Sequence, residues 1–310
     1  MRDQGPQLPT CLTTYELLSG GSTGWVFRVA DGIALKYCLY ERFINFQIEN
    51  ESYDAFQPRN PPPSIMQSFL RLPGINFMPL MAGSLQERIY SNQVRDVGKP
   101  RCLKVLRIEP TTTIGQWAAK FASAIAWLES LGLAHGDLRP ANLLLDQHDH
   151  VKLADFDSAA KMGSMNPGNG APWVRLRECD GGGSFGFYDA CSEQFAFASI
   201  LHNLTTGIEL YEDEGPEALD LLKALVFPEL GGSPLDKLTV KCWMGEFASL
   251  ADLATAAGRL DGAEGAKSGT KFDDEYMNTM KAQCQELLEG KLAGIQFAIV
   301  GAEEGKRDSQ

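Results

Sequence analysis

Residues 135 to 142 read His-Gly-Asp-Leu-Arg-Pro-Ala-Asn, and residues 152 to 157 read Lys-Leu-Ala-Asp-Phe-Asp. Asn142 lies five positions after Asp137, and Asp155 lies eighteen positions after it. This spacing is typical of a phosphoryl-transfer centre. An aspartate such as Asp137 can orient an attacking hydroxyl and accept its proton. Oxygens of the Asn142 and Asp155 side chains are ligands that Mg²⁺ prefers. The two segments therefore predict a catalytic loop and a metal-binding strand end.

These two segments resemble the catalytic loop and the metal-binding loop of protein kinases. The resemblance implies that Asp137 is the catalytic residue and that Asn142 and Asp155 hold Mg²⁺. It also implies that Arg139 neutralises charge on the transferred phosphoryl group. Serine/threonine kinases usually carry lysine at the Arg139 position, but some tyrosine kinases carry arginine, so this position does not settle the substrate class. The His-Gly-Asp and Asp-Phe-Asp forms are similar to small fungal protein kinases, and also to aminoglycoside and choline phosphotransferases.

Two positions depart from the commonest kinase pattern. Gly136 stands where an arginine often precedes the catalytic aspartate, and that arginine normally pairs with a phosphate on the activation loop. We therefore expect activity that does not require phosphorylation of this loop. Asp157 replaces the glycine of the Asp-Phe-Gly triplet. Its carboxylate either caps the following turn, which we favour, or adds a distant charge to the metal site.

Residues 13–39 alternate in polarity and are broken by glycine turns, which predicts three antiparallel strands at about 13–19, 24–30 and 33–39. The first turn resembles the glycine-rich loop of kinases, with Ser19 in place of its first glycine. Glycine in such a loop lets backbone N–H groups approach phosphates closely. The resemblance therefore implies that this turn contacts ATP.

Lys36, at the end of Ile-Ala-Leu-Lys, resembles the strand lysine that binds the α- and β-phosphates in kinases. The resemblance implies a glutamate partner on the next helix, which we predict over residues 45–56. Glu49 lies four positions before Tyr53 and is our choice, with Glu51 as the competing one. Residues 78–85 resemble the hinge that binds adenine. The residues implied to bind ATP are Gly20, Gly21, Gly24, Val26, Ala34, Lys36, Glu49 and Met81.

Helical periodicity marks three further segments. A helix that carries Trp117 and Phe121 is predicted to start at a capping box formed by Thr113 and Gln116 and to end at Gly132. A buried helix over 191–201 resembles the central helix of the kinase C-terminal lobe, with Glu193 at the position that braces the catalytic loop. The pattern over 272–294 predicts a last helix, which either packs on the C-terminal lobe, as we expect, or binds a partner.

Composition sets the remaining limits. A chain of 310 residues with 44% hydrophobic residues can form about two domains or lobes. Seven scattered cysteines are typical of reduced thiols, so we expect a cytoplasmic protein and leave access to the nucleus open. A net charge of -12 argues against nucleic-acid partners. Residues 1–10 lack an apolar run and the apolar stretch over 292–302 is too short to span a bilayer, so we expect no membrane insertion. The oligomeric state stays open.

We therefore expect an α+β, bilobal protein kinase-like fold. A small antiparallel sheet with one main helix is predicted over 12–81, a mainly helical lobe over 82–260, and a linker with a C-terminal helix over 261–310. The resemblance implies transfer of the γ-phosphate of ATP, with Mg²⁺, to a serine or threonine of a protein substrate in preference to tyrosine. Two alternatives remain: a nucleotide-binding pseudokinase scaffold, and a small-molecule kinase of the aminoglycoside or choline phosphotransferase type.

Overall fold

A computed structural model describes residues 8–39, 42–98, 101–168, 170–177, 181, 184–215, 217–264, 269 and 272–295. These residues fall into two compact units. The sheet unit comprises the described parts of Met1–Arg59, Gln67–Leu80 and Phe272–Gln310, and the helical unit comprises those of Asn60–Met66 and Met81–Lys271. The expected α+β class, with an antiparallel sheet in one unit and mainly helices in the other, is confirmed.

The strands are β1 Glu16–Gly20, β2 Gly24–Ala30, β3 Ile33–Cys38, β4 Leu70–Leu72, β5 Ile75–Pro79, β6 Gly83–Ser84, β7 Gln93–Arg95, β8 Cys102–Val105, β9 Leu133–Ala134, β10 Leu143–Leu145, β11 Val151–Leu153 and β12 Ala160–Lys161. The helices are α1 Phe43–Phe56, α2 Leu85–Ser91, α3 Thr111–Ser130, α4 Ala190–Thr206, α5 Glu217–Lys223, α6 Pro234–Met244, α7 Leu250–Ala257 and α8 Asp274–Glu289. Short 3-10 helices cover Thr10–Leu12, Gln57–Arg59, Pro140–Asn142 and Phe156–Ser158.

Five strands of the sheet unit pair in the order β1-β2-β3-β5-β4, and every neighbouring pair is antiparallel. The three predicted N-terminal strands are confirmed. Because side chains alternate between the faces of a strand, Phe27, Leu35 and Phe77 share one face and are buried there. Lys36 lies on the opposite face, where α1 packs through Phe46 and Glu49.

Helix α8 packs on the sheet face that carries Phe27, Leu35 and Phe77. Met280 and Cys284 of α8 are buried in the same hydrophobic cluster as these residues. The expectation that this helix packs on the C-terminal lobe is therefore wrong. The helical pattern correctly predicts one buried face, but periodicity does not specify which surface covers that face.

The helical unit is organised by α3 and α4, which contact each other through stacked rings of Phe121 and Phe197 whose centroids are 5.0 Å apart. The N-cap of helix α3 is Pro110, three residues before the predicted N-cap Thr113, and no side chain there forms a capping hydrogen bond. The predicted capping box of Thr113 and Gln116 is therefore wrong, because both residues lie inside the helix. The helix ends before Gly132, whose φ of 74° provides the predicted left-handed stop.

A short sheet joins the pieces of the helical unit that carry the candidate site. Strand β10 pairs with β11 on one side and with β6 on the other. Asn142 directly precedes β10, and Asp155 lies two residues after the end of β11, so the hairpin brings the ends of both predicted segments together. None of the helices within the described ranges is long and apolar enough to cross a membrane.

The contribution of the C-terminal segment to the sheet unit can be measured with Leu292→Ala. Leu292 is fully buried in the cluster beneath the sheet. The truncation removes buried methyl groups and leaves a cavity, so we expect the free energy of unfolding to fall by about 2 to 5 kcal/mol in urea titrations. Leu17→Ala is the matched control, because Leu17 belongs to the same unit but is 56% exposed. Equal stability of the two variants would contradict the packing of this segment on the sheet.

Candidate active site

The buried ion pair between Lys36 and Glu49 is the centre of the candidate site in the sheet unit. The Lys36 ammonium lies 2.7 Å from Oε2 of Glu49, and the two side chains are only 7% and 1% exposed. Phe46 covers the pair, with its ring centroid 6.0 Å from Nζ of Lys36. Glu51, the competing glutamate, is exposed on the same helix. The local geometry therefore pairs Lys36 with Glu49.

Val26 and Ala34 share the sheet face of Lys36. Val26 is the register partner of Lys36 across β2 and β3, and Ala34 lies two residues before Lys36 on the same strand. The ion pair is therefore bordered by small and apolar side chains on one surface. Met81, the predicted hinge residue, follows β5 by two residues, is half-buried and belongs to the helical unit.

The glycine turn between β1 and β2 contains glycines with different structural roles. The N–H of Gly21 donates to the carbonyl of Gly24, which closes the turn. A Cβ at Gly24 would lie 2.4 Å from the carbonyl oxygen of Tyr37, so this position requires glycine for strand pairing. Cβ atoms at Gly20 and Gly21 would meet neighbours at 3.4 and 3.5 Å. These are ordinary contact distances, so packing does not require glycine at residues 20 and 21.

In the helical unit, Asn142 and Arg139 fix the carboxylate of Asp137. Nδ2 of Asn142 donates to the backbone carbonyl of Asp137 at 2.7 Å and to its Oδ2 at 3.1 Å. Nε of Arg139 lies 3.4 Å from the same Oδ2. The structure thus brings together three of the residues that the sequence predicts for catalysis and metal binding.

Glu193 holds the backbone of this loop from α4. Its carboxylate is buried and accepts the N–H groups of His135 at 2.9 Å and Gly136 at 3.4 Å. Burial raises the pKa of the Glu193 carboxyl, while the His135 ring and the two N–H groups act in the opposite direction. The carboxylate therefore occupies the bracing position that the sequence predicts for it.

His135 connects the predicted catalytic loop to the predicted metal-binding loop, and its position in the motif did not reveal this role. The N–H of Asp137 donates to Nδ1 of His135 at 3.3 Å, and Nε2 lies 2.9 Å from the carbonyl oxygen of Ala154. A ring that accepts a hydrogen bond at Nδ1 has its hydrogen on Nε2, which then donates a hydrogen bond to the Ala154 carbonyl. The N–H of Ala154 in turn donates to the carbonyl of Asn142 at 2.9 Å.

Gly136 is required by the backbone geometry at its position. Its φ is 82°, and a Cβ there would lie 2.4 Å from the carbonyl oxygen of Ser158 and 3.1 Å from the hydroxyl of Tyr188. An arginine, which often stands at this position in kinases, does not fit this loop conformation. Tyr188 was missed by the sequence analysis. Its burial raises its pKa to about 12, and Glu193 and Asp137 add to this effect.

Asp155 adopts a left-handed conformation with φ 66° and ψ 65° and occupies the N-cap position of the 3-10 helix Phe156–Ser158. Aspartate is one of the few non-glycine residues that enter this region readily. Asp157 is buried and accepts a hydrogen bond from the Ser158 hydroxyl at 3.0 Å. This contact lies within the turn, which is the arrangement expected of a turn-stabilising carboxylate.

The donor set of Asn142 and Asp155 fits Mg²⁺ rather than a metal held by the protein alone. Within the described ranges, no three His, Cys, Asp or Glu side chains form a group that could hold a metal ion. Magnesium at nucleotide sites needs only one or two side-chain ligands, because phosphates and water supply the others. Nδ2 of Asn142 donates hydrogen bonds to Asp137, so Oδ1 is the atom of this side chain that could bind the metal ion.

The segment after the metal-binding loop folds back on itself. Tyr188 donates its N–H to the carbonyl of Ser164 and accepts the N–H of Gly163, while Asn166 donates its N–H to the carbonyl of Gly186. Residues 169, 178–180 and 182–183, with Cys179, lie outside the described residues. The two ends of this segment pair through an isolated antiparallel bridge between Met165 and Phe187, and the described residues between them are irregular.

Comparison with known proteins supplies independent evidence. A family model described as protein kinase domain matches residues 95–219. This range contains Asp137, Asn142, Asp155 and Glu193 but not Lys36.

Similar relatives include a human testis-specific serine/threonine-protein kinase 4, with 37% identity over 65 residues, which are 21% of this chain and 20% of the relative. The serine/threonine-protein kinase grp of Drosophila melanogaster is 45% identical over 58 residues, 17% of this chain and 11% of that protein. Ribosomal protein S6 kinase-like 1 of Pongo abelii is 30% identical over 131 residues, 40% of this chain and 22% of that protein. The chain thus spans less than a quarter of the length of each of these relatives.

The steric requirement at residue 136 can be separated from its backbone strain. We expect Gly132→Ala to cost about 1 to 2 kcal/mol of stability, because φ at residue 132 is 74° and a Cβ there meets nothing within 4 Å. Gly136→Ala carries the same strain and also a clash with the Ser158 carbonyl, so we expect a further cost of about 1 to 3 kcal/mol. Urea unfolding of both variants measures the difference. If both lose the same stability, the tight contact with residue 158 is not present in solution.

Proposed function

Because this chain belongs to the protein kinase superfamily, we propose that it is an active kinase that transfers the γ-phosphate of ATP, with Mg²⁺, to a serine or threonine of a protein. The observation that supports this most directly is the orientation of Asp137. Asn142 and Arg139 both contact Oδ2 of its carboxylate. Oδ1 is therefore the oxygen that accepts the proton in our proposal. A scaffold protein has no need of such an oriented base.

In the proposed reaction, Asp137 orients the substrate hydroxyl through Oδ1 and accepts its proton as the oxygen attacks the γ-phosphorus. The bond between the γ-phosphorus and the β,γ-bridging oxygen breaks, and ADP leaves. Arg139 lies beside Asp137 and is 44% exposed, so its guanidinium can swing from the carboxylate to the transferred phosphoryl group.

The remaining residues bind and orient the nucleotide. Lys36 binds the α- and β-phosphates through its ammonium, and Glu49 fixes the direction of that ammonium. Gly20 and Gly21 leave the backbone of the turn accessible to phosphate oxygens. Asn142 and Asp155 would hold Mg²⁺, which neutralises charge on the phosphates when it is bound. Each of these roles uses an oxygen or nitrogen that the fold already orients.

Asp137→Asn tests the proposed base. We expect phosphate transfer from radiolabelled ATP to a generic protein mixture to fall by about 10²- to 10⁴-fold, because the amide cannot accept the proton. The amide oxygen still accepts the hydrogen bond from Asn142, so the loop keeps its shape. Asp220→Asn serves as the control, since Asp220 is exposed on α5.

The outcome also separates the alternatives to a protein kinase. Transfer to an aminoglycoside or choline but not to protein, with the same loss in Asp137→Asn, would replace our proposal with a small-molecule kinase. The absence of transfer to any acceptor, in a protein whose melting temperature rises with ATP, would leave a nucleotide-binding scaffold.

Glu49→Gln tests the ion pair in the sheet unit. The substitution keeps a hydrogen-bond acceptor but removes the charge that orients Lys36, so we expect kcat/KM for ATP to fall roughly tenfold. Glu51→Gln is the matched control on the same helix, because its carboxylate is exposed. If the two variants have the same kcat/KM, Glu49 does not act on the nucleotide through Lys36.

A further inference from the structure

A cavity of about 490 Å³ lies in the helical unit, between the first half of α3 and the turn that joins β10 to β11. Asp137, Asn142 and Asp155 are not among its described lining residues, so it is separate from the candidate active site. Its volume lies within the range of about 300 to 1,000 Å³ that is usual for small-molecule sites. Its described lining carries neutral polar side chains together with a few charged ones.

One face of α3 supplies neutral polar groups to the cavity. Thr113 and Gln116, whose predicted capping box is wrong, lie inside the helix and line the cavity. Residues three apart lie on the same face of a helix. Neither side chain forms a hydrogen bond with another described residue. Ser123 also lines the cavity, but its hydroxyl donates to the carbonyl of Ala119 at 2.9 Å. Thr113 and Gln116 therefore have donors and acceptors available to a ligand.

Two further neutral groups come from other segments of the chain. Ser64 is only 6% exposed, and its hydroxyl has no hydrogen-bond partner among the described residues. A hydroxyl shielded from bulk water is favourable only when it is hydrogen-bonded. Because Ser64 lines the cavity, a molecule in the cavity can be that partner. The ring of His148, which also lines the cavity, likewise forms no hydrogen bond with the described residues.

The formal charges of the described lining cancel. Lys120 and Asp149 line the cavity and carry opposite charges, so the lining has no net charge when its histidines are neutral. Both side chains also have interactions of their own: Asp149 forms an ion pair with Arg88, and Lys120 is not free. A charged ligand would therefore find no excess of the opposite charge in the lining.

The titratable groups behind the lining are also matched by opposite charges. The ammonium of Lys152 donates to the carbonyl of Pro63 at 2.6 Å, and the Asp146 carboxylate interacts with it electrostatically. The same carboxylate lies 2.9 Å from Nδ1 of His150, whose ring lines the cavity. These groups favour neither a cation nor an anion in the cavity.

The indole in the lining offers little surface for stacking. Trp117 is 3% exposed, and its N–H donates to the carbonyl of Asp149 at 2.8 Å. A planar aromatic ligand gains most of its binding from stacking on exposed rings. The apolar surface that remains includes Pro62 and Pro63, which are half-buried. Saturated C–H groups can pack on these rings without an aromatic partner.

We propose that this cavity binds a small uncharged ligand rich in hydroxyl groups, such as a monosaccharide or a cyclic polyol. Each hydroxyl of such a ligand both donates and accepts hydrogen bonds. The same holds for the hydroxyls of Ser64 and Thr113, the amide of Gln116 and the neutral imidazole of His148. The C–H face of the ligand ring contacts the prolines. The proposal does not depend on kinase activity.

Histidine ring NMR of the full chain provides a direct readout. The chain contains four histidines; two of them line the cavity, whereas His135 and His202 are buried outside its lining. The probes are methyl glucoside, methyl galactoside and myo-inositol. We expect at least one of them to shift the His148 signal saturably and to leave the His135 and His202 signals unchanged. His148→Gln assigns the signal.

Two results of this titration would overturn the proposal. One is the absence of a saturable His148 shift with all three probes. The other is a shift of the His135 signal in place of the His148 signal, which would put the ligand at the catalytic loop.

Thr113→Val tests the contribution of α3 with little change in side-chain shape. We expect it to weaken binding of the best probe roughly threefold to tenfold, because one hydrogen bond to the ligand is lost. Thr112→Val is the matched control, since Thr112 precedes Thr113 on the same helix, is exposed and is not among the described lining residues. Unchanged His135 and His202 signals verify that both variants are folded. Equal affinities of the two variants would contradict the proposed contact.

Ser64→Ala tests the shielded hydroxyl in the same way, and we expect a similar loss of affinity. Retention of full affinity in both Ser64→Ala and Thr113→Val would show that these hydroxyls do not bind the probe and would overturn the proposal.

Charged analogues of the sugar test the neutrality of the site. Glucosamine adds an ammonium, and the phosphate ester of methyl glucoside adds an anionic group. We expect neither to bind more tightly than methyl glucoside, because the charges of the lining cancel. Clearly tighter binding of the ester would identify an anion site, and clearly tighter binding of glucosamine a cation site. Either result would overturn the proposal of an uncharged ligand.

Discussion

The carboxylate of Glu193 is the interaction on which the order of the catalytic loop depends. It is buried on α4 and accepts N–H groups from two successive residues, His135 and Gly136. Buried N–H groups without acceptors would cost a few kcal/mol, so the loop backbone is stable where it is only with this partner. The ring of His135 forms a hydrogen bond with the carbonyl of Ala154, and the side chain of Asn142 donates one to the carboxylate of Asp137. These bonds hold both segments in place once the loop backbone is fixed. One helix therefore orders both segments that carry the candidate catalytic groups.

Much of the candidate site could be predicted because its residues obey fixed spacing within short segments. Asp137 and Asn142 lie shortly before strand β10, and Asp155 lies shortly after β11. The hairpin that these two strands form brings the three residues together, and its short length can be read from the sequence. Pairing of Lys36 with Glu49 follows from helical periodicity, which places Glu49 and Tyr53 on one buried face of α1. In both cases the local pattern and the packed structure require the same residues.

The failures share a different cause, which is that the deciding atoms lie far away in sequence. Helix α3 starts at Thr111, after Pro110 at its N-cap, although Thr113 and Gln116 have the spacing of a capping box. Helix α8 has a clear apolar face, yet its partner is a sheet built from residues more than two hundred positions earlier. No window of sequence contains that information.

Asp155 shows why such distant contacts matter for chemistry. Its left-handed backbone costs about 1 to 2 kcal/mol relative to an ordinary conformation. Glycine would relieve that strain but would remove the carboxylate that the sequence predicts as a Mg²⁺ ligand. The strained residue is therefore held by its neighbours: the carbonyl of Ala154 is fixed by His135, and Phe156 is fully buried against the same ring at 5.3 Å. Residues on both sides of Asp155 are anchored to one histidine, so that histidine fixes the backbone that carries the carboxylate predicted to bind Mg²⁺.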